Sequence, residues 1–204
     1  SRSPENFAQT WPQLATYLEA HPETTKDFVN QLRSDSFPPE GKAGGWLAVG
    51  NARTPEAKAE LTAVMNDSTA TPINRSRAVF AMVDRDDVGV ELTRTLSHHA
   101  TAISTGATRG ERVFARESAL AMGMMAGLRG DSDPEVHAVA MSSLKGLLVS
   151  EKKPVALHAV FGAIANVGDA TTLDWVKPFT ESPDEEIREG AAKVVRRMQP
   201  YETN

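Results

Sequence analysis

Apolar residues recur along this chain at three- and four-residue spacings, the signature of helices laid against a core. Phe7, Trp11, Leu14 and Leu18 predict a helix over about residues 4 to 19, ended by His21-Pro22. Phe28, Val29 and Leu32 predict a second, with Thr24 or Thr25 available as its cap. Residues 36–45 are interrupted by Pro38-Pro39, Gly41 and Gly44-Gly45, so the next helix begins either within them or only near Gly45. It stops at Gly50-Asn51, a helix-ending pair. Thr54-Pro55-Glu56 reads as an N-cap, a proline at the first helical position and an early carboxylate, launching Ala57, Leu61, Val64 and Met65.

Further helices are predicted over about residues 73 to 84 and from Asp86-Asp87 through Val90, Leu92 and Leu96. Residues 98–110 carry the least pattern and are predicted to be a loop. From Glu111 a helix of about 18 residues runs to Gly130-Asp131. Asp133-Pro134-Glu135 then opens VHAVAMSSLKGLLV, Pro154 opens VALHAVFGAIANV, and Asp169 opens a pair of helices containing Leu173, Trp175, Val176 and Phe179. Ser182-Pro183-Asp184-Glu185 starts the last helix, which ends by Pro200. No stretch sustains a period of two, so strands contribute little.

The chain also echoes itself. LAVGNARTPEAKAELTAVMND (residues 47–67) returns in degenerate form as GAIANVGDATTLDWVKPFTES (residues 162–182), an offset of 115 residues that fits three units of about 38. Val136, Ala140, Leu144 and Leu147 align with Ile187, Ala191, Val195 and Met198, drawing the same apolar stripe with a small residue at its second place. Helical hairpins of this kind bury their apolar faces only by stacking on one another. The predicted fold is all-α, an α-solenoid of about five or six stacked antiparallel helical hairpins, right-handed, with one concave surface. It is read as a single domain over residues 1–204, with residues 1–36 an N-terminal capping hairpin. A start at SRSPENF without an initiator Met reads as a piece of a longer protein, trimmed rather than processed for export.

DPEVHAVAMSSLKGLL and SPDEEIREGAAKVVRRM resemble the second helix of HEAT repeats. Val136 and Ile187 stand at that family's branched position, Arg188 at its common arginine, and Asp131, Asp133, Asp184 and Glu185 at its acidic turn. His137 departs from the pattern. The resemblance spans about residues 40 to 200 and implies a scaffold or binding surface. GNARTPEAKAELTAVM is similar, through Gly50, Asn51, Pro55 and Leu61, to the helical domain of the large lipid-transfer and yolk lipoproteins, which implies a helical part of a lipid-carrying assembly.

Composition narrows the chemistry. Acidic residues outnumber basic ones, 27 to 22, giving a net charge of -5, which disfavours nonspecific binding to nucleic acid or anionic lipid. Cysteine is absent, which removes disulfides, thiolate catalysis and cysteine-ligated zinc, and leaves the compartment open between cytoplasm and an exported, periplasmic setting. No run of about 20 apolar residues offers a membrane span.

Candidate sites are few. His98-His99, with Thr101, Ser104 and Thr105, lacks an i+4 partner to complete a metal site, and His137 and His158 read as packed or surface residues. Asp84, Asp86, Asp87 and Glu91 cluster at a helix start, where they complement its dipole. No nucleophile elbow, phosphate loop or zinc-protease motif occurs. Neither catalytic residues, nor a cofactor, nor a metal is therefore assigned. Two basic groups, Arg109, Arg112 and Arg116, and Lys193, Arg196 and Arg197, form a candidate basic surface. Pairing of these cations with Glu111, Glu117 and Glu189 is the plainer expectation. Trp46 and Trp175 are expected in the packing, Trp11 and Tyr17 at a cap or a partner contact. The reading is a noncatalytic scaffold binding another protein. Its rivals are a helical-repeat nucleic-acid binder or enzyme gathering both basic groups in one groove, and the lipid-assembly role.

Overall fold

The computed structural model describes residues 5–198, with side chains from residue 10 onward. The expected place of the Phe7 side chain and the expected stop at Pro200 lie outside the described residues. Two compact units divide the chain, within 1–88 and 89–204. All regular structure among the described residues is helical.

The first unit holds α1 (Glu5–Ala20), α2 (Thr25–Arg33), α3 (Pro39–Asn51), α4 (Pro55–Asn66) and α5 (Pro72–Val83). α3 packs on both α1 and α5, while α2 packs on α4. The second holds α6 (Gly89–Ala100), α7 (Arg109–Arg129), α8 (Pro134–Ser150), α9 (Pro154–Val167), α10 (Leu173–Val176) and α11 (Glu185–Met198). Here α9 packs between α7 and α11, and α6 packs on α8. Alternate helices thus share a layer in each unit, as stacking of helical hairpins requires. The fold is an all-α solenoid of stacked helical hairpins.

Helix starts follow their sequence signals. Pro39, Pro55, Pro72, Pro134 and Pro154 each occupy a first helical position, where the missing N–H costs nothing. Thr54, Thr71 and Asp133 accept the N–H groups of Ala57, Asn74 and Val136, and Thr108 with Glu111 forms a reciprocal capping box. At α11 the cap is Asp184, which accepts the Ile187 N–H, so the helix begins later than Ser182-Pro183 implies. Thr24 does not cap α2. Its hydroxyl donates to the His21 carbonyl instead.

Other departures have identifiable causes. α6 runs through His98 and His99 to Ala100, leaving only residues 101–108 as loop. That loop is pinned inward by buried Ile103 and by Ser104, whose hydroxyl donates to the largely buried Glu151 carboxylate. In the second copy of the sequence echo the expected helix shrinks to four-residue α10 between two 3₁₀ turns, Ala170–Thr172 and Lys177–Glu181. Pro178 has no N–H to continue an α ladder there. In α11 the buried stripe is Ile187, Ala191 and Val194, while Val195 and Met198 are half-buried. Both i+7 and i+8 lie on one helical face, and the face turned to α9 selects the former.

α3 ends at Asn51, as the Gly50-Asn51 pair predicts, but no left-handed glycine ends it: Ala52 follows in extended backbone, and a Cβ on Gly50 would overlap the Ala81 carbonyl of α5. Gly123 and Gly127 of α7 meet the Ala163 and Asn166 carbonyls of α9 in the same way. Ala140 and Ala191, fully buried, are the small members of the predicted stripes.

Arg85 fastens the first unit. Its side chain is 1% exposed, and all five of its N–H donors have acceptors. Nε and Nη2 hold the two oxygens of Asp87 at 2.9 Å, Nη1 donates to the Gly50 and Ala52 carbonyls, and Nη2 to that of Thr54. One guanidinium therefore ties the turn after α5 to the turn between α3 and α4. Asp87 is this cation's partner, which corrects the expectation that it serves a helix dipole. Arg85 holds its carboxyl below the usual carboxylate range, against a smaller upward push from burial. Asp67 is lowered to about 2 by the Thr69 hydroxyl and N–H, then by Arg33.

Three outcomes are expected from these contacts. Gly123→Ala destabilises by about 1–3 kcal/mol through overpacking, whereas Gly146→Ala, at a mid-helix position in α8 with nothing within 4 Å, stabilises by about 0.5–1 kcal/mol; urea unfolding of both variants checks the contrast. Ala140→Asp and Ala191→Asp each cost several kcal/mol, about 3 or more, because an unpaired carboxylate enters a close helix contact. A carboxyl whose folded pKa is depressed adds stability above its unfolded pKa of about 3.9, stability that is lost as pH falls through the folded value. Asp87→Asn therefore lowers stability at neutral pH and flattens the acid limb below about pH 4, read from unfolding midpoints across a pH series.

Candidate functional site

In the second unit a cleft of about 660 Å³ lies between α9 and α11. α9 contributes His158, Phe161 and Gly162, and α11 contributes Glu189, Gly190, Lys193, Val194, Arg196 and Arg197. The spacings 158/161/162 and 190/193/194/197 place each set on one helical face. Phe161 and Val194, both buried, make an apolar floor. Lys193, Arg196 and Arg197 are exposed along the rim, with Glu189 the carboxylate beside them.

The walls are set by a notch. His158 Nε2 lies 2.7 Å from the Glu186 carbonyl and occupies the space beside Gly190, where any Cβ would collide with the ring. The same ring neighbours Phe161, whose edge meets Phe179. Arg197 reaches Asn166 on α9 at 3.4 Å. His158 thus joins the two helices near the start of α11, as a packed residue that also lines the cleft.

The two predicted basic groups do not converge. Gly123 and Gly127 face Ala163 and Asn166, while Gly190 and Arg197 face His158 and Asn166. Residue numbers rise together across these contacts, so α7, α9 and α11 run parallel. Arg109, Arg112 and Arg116 consequently sit at the starting end of α7, and Lys193, Arg196 and Arg197 at the finishing end of α11, with α9 between. Nor do the arginines of α7 show the expected pairing with Glu111. Arg112 donates to the Gly106 carbonyl at 2.6 Å, Arg116 to the Arg112 carbonyl at 3.2 Å, and Glu111 accepts the Thr108 N–H.

The remaining candidates separate as well. His99 stacks edge-on against Phe114, with ring centroids 5.0 Å apart. His137 lies 3.7 Å from Asp169 in a polar pocket of about 410 Å³ that Asp131 also lines. Among the described residues no group of three or more His, Asp or Glu side chains is placed to hold a metal ion. Glu117 on α7, half-buried, has its carboxyl raised by desolvation, with Arg116 pulling it down, and it is not among the residues lining the cleft. Trp46 is buried, and Trp175 packs half-buried beneath the Lys145 ammonium, 5.2 Å from the ring centroid. Trp11 lines an apolar pocket of about 270 Å³ with Leu14, Phe28 and Phe37 in the first unit, whereas Tyr17 is exposed and stacked on His21.

Sequence reasoning found the cations of the cleft but missed His158, Phe161, Gly162 and Gly190 as its other members. Their matched helical spacings were the available signal.

The Lys193→Glu/Arg197→Glu double variant changes exposed positions and is expected to cost no more than about 1–2 kcal/mol, most of it from Arg197, which faces the helix dipole and Asn166. Gly190→Val, which drives His158 from its notch, costs about 1–3 kcal/mol. Chemical unfolding measures both.

No family model and no curated protein matches this chain. Among solved structures it is similar to a designed armadillo repeat protein, at 15% identity and a TM-score of 0.42 over 96% of this chain and 92% of that one. It is also similar to human deoxyhypusine hydroxylase in complex with glycerol, at 15% identity and a TM-score of 0.33 over 97% of this chain and 81% of that one. The α-helical repeat architecture of the chain rests on its own stacked hairpins.

Proposed function

We propose that this chain is a noncatalytic protein-binding module that engages its partner at the α9–α11 cleft. The observation that carries the reading is the combination of an apolar floor, Phe161 and Val194, with a rim of exposed cations, Lys193, Arg196 and Arg197. A floor that excludes water and a charged rim that orients the incoming chain are the two parts of a recognition surface. Glu117, the carboxyl raised by burial, stands outside this cleft.

The nucleic-acid reading needs both basic groups along one phosphate track, and the parallel helices put them at opposite ends of their layer. The lipid-assembly reading needs a broad continuous apolar patch. Among the described residues of the second unit, the large exposed apolar ones are instead Leu128, Val149 and Val155, at the ends of three helices.

Affinity capture from the source lysate, with nuclease treatment and mass spectrometry, tests the reading. The wild-type chain and an Arg109→Glu control retain the same protein partner, and Lys193→Glu/Arg197→Glu loses it. Salt-sensitive retention of nucleic acid with no protein recovered would reverse the order of the readings.

A further inference from the structure

We infer that the α9–α11 cleft takes an acidic segment of a partner protein, one that presents an apolar side chain between its carboxylates. The inference rests on the protein-binding reading above and specifies the partner's chemistry.

Charge is the first argument. The chain as a whole is acidic, at -5, yet this cleft is lined by three cations and one carboxylate. A local field opposite in sign to the molecule's own selects a negatively charged ligand at the cleft, while the remaining surface repels it. Basic residues at a helix end are ordinarily explained by the helix dipole, and that accounts for Arg196 and Arg197 in the last turn of α11. It does not account for Lys193, which precedes that turn and lines the cleft on the same helical face as Arg197.

Shape is the second. Phe161 and Val194, themselves buried, form the base of the cleft, and the His158 ring fills the space beside Gly190. The volume, about 660 Å³, suits a few side chains rather than a flat docking face. An acidic segment without an apolar residue would leave the apolar part of the cleft lining uncovered. An apolar segment without carboxylates would leave three cations at the rim unanswered. The His158–Glu186 contact closes one end of the cleft and Arg197 reaches across toward Asn166 farther along, which limits the space available to a single segment.

Fluorescence-anisotropy titration of the purified chain tests this. The probe is a short labelled peptide rich in Asp and Glu with one central Phe. Comparison probes replace the acids by Asn and Gln, replace them by Lys, or replace the Phe by Ser, and a labelled single-stranded oligonucleotide is titrated in parallel. The acidic peptide is expected to bind, to weaken about tenfold or more with Lys193→Glu/Arg197→Glu, to weaken as salt rises, and to weaken on loss of the Phe. Arg109→Glu leaves its affinity unchanged. No binding of the acidic peptide, equal binding of the Asn/Gln peptide, indifference to the double reversal, or tighter binding of the oligonucleotide would each overturn the inference. The two readings fail separately. A captured partner that depends on Lys193 and Arg197, but is not displaced by the acidic peptide, overturns this inference and leaves the protein-binding module standing.

Discussion

The closest packing in both units is between backbones rather than side chains, and the placement of the site depends on it. Gly50 allows α3 to approach the Ala81 carbonyl, and Gly123 and Gly127 allow α7 to approach Ala163 and Asn166. A methyl group at any of these three positions would force adjacent helices apart. In the first unit that approach brings the carbonyls of Gly50, Ala52 and Thr54 within reach of one buried guanidinium. In the second it fixes the rotation of α9, and so decides that His158, Phe161 and Gly162 turn toward α11.

Buried arginine needs complete satisfaction, because each unpaired donor carries its own desolvation cost. Arg85 meets that condition with three carbonyls and a bidentate carboxylate. Such a residue is structural even though it is charged, and it shows how charge is divided in this chain. Cations that make hydrogen bonds to backbone carbonyls, Arg85 and Arg112 among them, are spent on shape. Those on the α11 rim remain available to a ligand.

Much of the architecture was legible in the sequence because the features that define it are local. Prolines at first helical positions, the Thr54 and Asp133 caps and the stripe through Val136, Ala140 and Leu144 each depend on residues within a few turns of one another. The site was less legible because its members lie about thirty residues apart, and only packing decides which helix face meets which. Lys193 and Arg197 were visible as cations, but nothing local distinguishes them from Arg109 or Arg112. Gly50-Asn51 does end α3, but the close approach of Ala81 to the same glycine was not legible, because a glycine that permits close approach and one that permits a left-handed turn are the same letter. Asp87 looked like a dipole partner for the same kind of reason: its guanidinium stands only two residues away, yet the burial that makes the pair matter comes from α3 and α4.

The shortness of α10 has a consequence for motion. α7 is gripped by α6, α8 and α9, whereas α11 is held by α9 and by the broken segment that includes four-residue α10 and the 3₁₀ turn around Pro178. Compared with α7, α11 therefore has less holding it to the stack, and its detachment is a smaller opening than loss of α7. The cleft spans the seam along which that opening occurs. Whatever occupies it binds the closed arrangement and not the open one, so occupancy draws α11 into the cooperative unit by mass action. A ligand across that seam would add its own contacts to those that hold α11 in place.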